Sequence, residues 1–128
     1  MKRSPRVNRR TRNSTVLGLL ALFTAAGLYS HAKAETAVNI ASRTGDIIGA
    51  AEACGVGAGD LLSLGYVVIG WAREQAHSTA EVRRAQAAHE AAVTRAAARI
   101  RNEGPRACPA ATAAFRDLQL KAQQPPGA

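Results

Sequence analysis

The most reactive groups in this sequence are two thiols. Cys54 and Cys108 are its only cysteines, and such a pair serves redox exchange, metal or haem attachment, or a structural bridge. Exchange favours the Cys-x-x-Cys spacing, in which one thiol pKa is lowered. Neither Cys54-Gly55-Val56 nor Cys108-Pro109-Ala110 provides it, and covalent haem attachment fails on the same ground. An even cysteine count in an exported chain reads as a structural disulfide. Joining Cys54 to Cys108 closes a loop of about 55 residues, which chain-entropy reasoning values at about 4 kcal/mol.

The remaining polar groups make weaker chemistry. His77 and Glu81 stand four apart, but Ser78-Thr79-Ala80-Glu81 is a capping box that already employs Glu81. His89 falls on an apolar helical seam, the ordinary place for a hydrogen-bonded core histidine. His31 lies before residue 35, and the two remaining histidines are by themselves too few for a convincing metal site. The one methionine is Met1, so the rest of the chain has no thioether for copper or haem iron. Gly55-x-Gly57-x-Gly59 has no strand before it and carries Asp60 where a dinucleotide fingerprint needs its third glycine. It reads as a hinge. Ser63, Ser78 and Thr79 show no accompanying base and carboxylate. No catalytic, cofactor-binding or metal-binding residue is assigned, and the expectation is a protein that is not an enzyme and carries no cofactor.

Charge suggests a polyanion partner until it is located. The formal net charge is +8, yet seven of the 17 basic residues lie at or before Lys33 and all nine acidic residues lie from Glu35 onward. Residues 35–128 therefore carry ten basic groups against nine acidic ones. That near-balance removes most of the case for nucleic acid. One local excess remains over residues 79–106, with six arginines against Glu81, Glu90 and Glu103. Arg84, Arg95 and Arg99 are its candidate face for an anionic envelope component. Aromatic residues for base stacking are missing there.

The N-terminal chemistry is that of an address. Residues 1–15 are basic and polar, residues 16–29 form an apolar run, and Ala32-Lys33-Ala34 offers the small-x-small pattern of a cleavage site. Fourteen apolar residues make about 21 Å of helix, short of a hydrocarbon core of about 30 Å. The expectation is a secretory signal peptide over residues 1–34, cleaved before Glu35, with Ser30-x-Ala32 as a second possible site. Retention as an inner-membrane anchor is the alternative.

These groups need elements to position them, and composition makes the elements helical. Alanine supplies about a quarter of residues 35–128, it is the best helix former, and strand-like alternation is absent. The apolar spacing predicts a first helix over about 38–54, with Gly45 and Gly49 weakening it unless another backbone packs closely there. A second helix, about 60–73, is apolar nearly all round and should be covered by several neighbours. The third starts at the Ser78 cap, shows a seam of Val82, Gln86, His89, Val93, Ala96 and Ile100, and ends at Gly104-Pro105. The fourth runs from Pro109 to about Lys121 with Ala111, Phe115 and Leu118 inward, and residues 123–128 form a disordered tail.

The predicted fold is all-α, an up-down-up-down bundle of about four helices over residues 35–122, stapled by Cys54 and Cys108. In that topology the first helix ends where the fourth begins, which brings the two cysteines together. The expected function is non-catalytic binding or structural work in the periplasm or outside the cell, with a protein partner or self-association. Surface beside Leu64, Val68 and Trp71 is the candidate contact region. The rival expectation is an acid-stress chaperone, in which protonated carboxylates loosen the bundle and bare the second helix.

Overall fold

The structure, a computed structural model, describes residues 36–125. The signal-peptide assignment and the end of the tail lie outside the described residues. Four helices occupy nearly all of the remainder: α1 (Ala37–Ala53), α2 (Ala58–Gln75), α3 (Thr79–Glu103) and α4 (Cys108–Gln123), with a single 3-10 turn at Pro105–Ala107 before α4. Successive helices reverse direction, as the pattern predicts, and the fold is an all-α bundle.

Local chemistry sets each boundary. Thr36 caps α1 by accepting the amide of Asn39 at 3.2 Å, and the helix begins within a residue of the start that the apolar spacing predicts. The helix closes in a Schellman motif. Gly55 takes φ 82°, its amide donates to the Glu52 carbonyl, and the Val56 amide donates to Ala51. At α3, Ser78 accepts the Glu81 amide at 3.1 Å, while the Glu81 carboxylate accepts from His77 at 2.9 Å. The capping box is therefore shifted by one residue, since Glu81 bonds the amide before the cap rather than that of Ser78 itself. Gly104, also at φ 82°, ends α3. Helix α4 starts at Cys108, which places Pro109 at its second position.

Helix α1 is the hub. It touches all three other helices, and its contact with α3 is the most extensive among the described residues. Sequence explains the closeness: Ala37, Ala41, Gly45, Gly49 and Ala53 recur every four residues and present a row of small side chains along one ridge. A Cβ placed on Gly45 would stand 2.6 Å from the His89 carbonyl oxygen, and one on Gly49 would collide with the Val93 carbonyl. The two backbones lie against each other, which is the condition under which these glycines fit a helix. Ala85, Ala92, Ala96, Ala97 and Ile100 form the buried face of α3. The predicted seam is thus rotated: Val82, Gln86 and Val93 are half-buried flanks, and alanines take the centre because only they admit α1 this closely.

Larger side chains fill the other side of α1. Ile48, Ala51, Leu64, Val68, Phe115 and Leu118 make one cluster, with Trp71 packed at its margin. Ala111, Phe115 and Leu118 are the inward residues of α4, as their spacing predicts. Helix α2 departs from expectation. Only Leu64, Val68 and Ala72 are buried, because α2 leans on α1 by one face while α3 spends its own inner face on α1. Its neighbours meet this one side and leave the opposite face uncovered.

Candidate functional site

At 100° per residue, Leu64, Val68 and Ala72 point to the core, and Gly59, Ser63, Tyr66 and Gly70 lie along the opposite line of α2. Tyr66 is 80% exposed, Leu62 63% and Val67 38%. No charged residue stands between Asp60 and Arg73. A Cβ at Gly59 or Gly70 would meet nothing within 4 Å. The face is therefore apolar, uncharged for about three turns, and open. Among the described residues, Leu120 of α4 is the other large exposed hydrophobic, at 60%. Between α2 and α4 runs a shallow groove of about 170 Å³, floored by Leu64 and bordered by Val67, Gln119 and Ala122.

Of the three residues expected to mark a contact region, Leu64 and Val68 are core and offer nothing to a partner. Trp71 is half-buried against the same core cluster. The surface on this helix belongs instead to Leu62, Tyr66 and Val67. Sequence held the signal: once Leu64 and Val68 share the inner face, helical geometry puts Leu62 and Tyr66 on the outer one.

The three candidate arginines do not form one cluster. Arg84, Arg95 and Arg99 are exposed and share one flank of α3. Eleven residues, about 16 Å of helix, divide Arg84 from Arg95, too far to hold one small anion. Arg99 reaches Glu103 at 3.8 Å, with both side chains about half exposed (56% and 51%), an ion pair of little net strength. Asp46 and Glu103 line the same groove as Arg99, about 300 Å³, and oppose an anion there.

Cys54 and Cys108 come together at the predicted end of the bundle, their sulfurs 2.11 Å apart and their Cα atoms 5.4 Å apart, which is disulfide distance. Both are half-buried, beside an open groove of about 440 Å³ that includes Ile100, Arg101 and Pro105. His89 donates through Nδ1 to the Ala41 carbonyl at 3.1 Å, since a carbonyl oxygen only accepts. That bond ties α3 to α1 and gives His89 a structural task. The buried Thr44 hydroxyl donates to the Ile40 carbonyl at 2.8 Å, with the Ala41 carbonyl next at 3.3 Å. Among the described residues no three His, Cys, Asp or Glu side chains gather as a metal site, and no helix is long and apolar enough to cross a membrane.

The chain matches no family model, no curated protein and no solved structure. Of the candidate features, the outer face of α2 is the one whose exposure the fold leaves unexplained.

Proposed function

We propose that the chain is a small exported, non-catalytic helical protein of the bacterial envelope that works by protein contact through the outer face of α2. One observation carries the reading: Leu62 and Tyr66 stand exposed on an uncharged helix face. Large apolar side chains kept in water without a charge between them mark interaction surfaces in soluble domains. The export half rests on the basic, apolar and small-x-small order of residues 1–34, and a disulfide suits an oxidising compartment.

The acid-chaperone alternative gains no particular support. Its logic requires low pH to bare α2, whereas the outer face of α2 is already bare in the folded bundle. An anionic partner on Arg84, Arg95 and Arg99 has only a dispersed, partly countered set of charges to recommend it.

Two measurements test the proposal. Intact mass of the exported protein should correspond to a chain beginning at Glu35, and a membrane-bound species retaining residues 1–34 would overturn cleavage. A photo-crosslinking residue at Leu62 should yield protein adducts in cells, and the same residue at Arg95 should yield few. The reverse pattern would move the contact site to the arginine flank.

A further inference from the structure

We infer that the partner seated on the outer face of α2 is a second copy of this chain, docked with the two α2 helices antiparallel about a two-fold axis level with Val68. The inference rests on the contact role of this face and names its occupant.

Self-complementarity is the first support. An isologous contact requires a patch that matches itself, residue i meeting residue j while j meets i. Tyr66 projects from the outer line of α2 at 80% exposure, and Gly70, one turn further, leaves open space where a Cβ would be. A two-fold axis level with Val68 sets each Tyr66 over the other copy's Gly70. The same chain shows what a helix glycine does when partnered: Gly45 and Gly49 each have the α3 backbone against them, whereas nothing stands within 4 Å of a Cβ on Gly70.

Charge is the second. In this register Arg73 stands opposite Ser63 and Glu74 opposite Leu62, so no like charges are forced together. Residues 35–128 are nearly balanced in charge, so two copies of the proposed cleaved chain do not repel one another at long range. A polyanion or an anionic lipid surface would find Arg73 as the single cation of the face. Self-docking therefore fits better than either.

Area sets the strength. Helix α2 has 18 residues, and a strip of one face about 27 Å long offers roughly 300–400 Å² per copy. That is about half of the roughly 800 Å² per partner found in standard stable interfaces. The dimer should be weak and reversible.

Sedimentation equilibrium of the exported, disulfide-bridged chain, its start at Glu35 checked by intact mass, tests this directly. Loading from about 1 μM to about 1 mM should reveal a monomer–dimer equilibrium with Kd on the order of 10–500 μM. Tyr66→Ala should raise Kd about tenfold or more. Gly70→Ala is the sharper variant. Alanine improves helix propensity and meets nothing in the monomer, so the dilute monomer should melt higher while dimerisation weakens about tenfold. Gly65→Ala, off the outer line, should leave Kd unchanged. A chain that stays monomeric at the highest loading, or a dimer indifferent to both Tyr66→Ala and Gly70→Ala, would overturn the inference. Photo-crosslinking from Leu62 in cells separates its failure from that of the broader reading. Adducts of twice the chain mass support both, adducts of another mass alone overturn only the second copy, and no adduct overturns both.

Discussion

Gly45 and Gly49 show how one missing methyl group decides a helix–helix distance. Glycine inside a helix is disfavoured by about 1 kcal/mol against alanine, so an alanine-rich chain that keeps two glycines four apart needs a reason. The reason is the α3 backbone lying against both. Gly49→Ala should destabilise the domain by about 1–3 kcal/mol, because its new methyl group must displace the Val93 peptide. Gly65→Ala should be neutral or stabilise by up to about 1 kcal/mol, since a Cβ there meets nothing within 4 Å. Thermal unfolding of the two variants checks the contrast, and equal losses would contradict the backbone-contact explanation. The glycine pair was legible as a condition, close packing or a broken helix, but its partner was not. Nothing in the local pattern names α3, which lies more than 40 residues away along the chain.

At the scale of elements, caps were readable where side chain and spacing agree, and obscure where they do not. Ser78 and Glu81 carry a recognisable signature. Thr36 does not, because Asn39 replaces the acidic residue three positions on. Ser78→Ala should lower stability by about 0.5–2 kcal/mol through the unpaired Glu81 amide, measured by urea unfolding. Thr36→Ala should cost about as much if the start of α1 is equally fixed. Helix α2 differs most from its sequence pattern. An all-round apolar sequence suits a central helix, but centrality is awarded by neighbours, and the small-residue rows of α1 and α3 took that position for α1. Periodicity reports which faces are apolar. It does not report which face finds company, so the exposed Leu62 and Tyr66 became visible only with the packing.

The whole molecule depends on one covalent closure. The bridge spans a sequence separation of 54, and its removal should destabilise the domain by about 4 kcal/mol on the loop-entropy estimate. For a domain of this size that corresponds to a fall of about 15–30 °C in the thermal midpoint. Comparing melts with and without reductant, and the Cys54→Ser/Cys108→Ser double variant, measures it. A shift of less than a few degrees would mean that packing of Phe115 and Leu118 alone holds α4. The pairing was legible because both cysteines sit at helix ends and alternating helices bring those ends together.

The seam between α1 and α3 also bears on how quickly the chain finds its fold. Its contacts join residues more than 40 apart, as His89 joins Ala41 across 48 positions, so a reduced chain must close a long loop before the seam returns any stability. With Cys54 and Cys108 already linked, the path from Ala53 to Ile100 through the sulfurs falls to about ten residues, and closing a loop of that length takes about 10–100 ns. The seam can then zip from that end: Ala50 with Ala96 and Ile100, Gly49 with Val93, Gly45 with Ala92, and Ala41 with His89. The bridge is thus a nucleation point as well as a clamp, and it sets the order in which α1 and α3 meet.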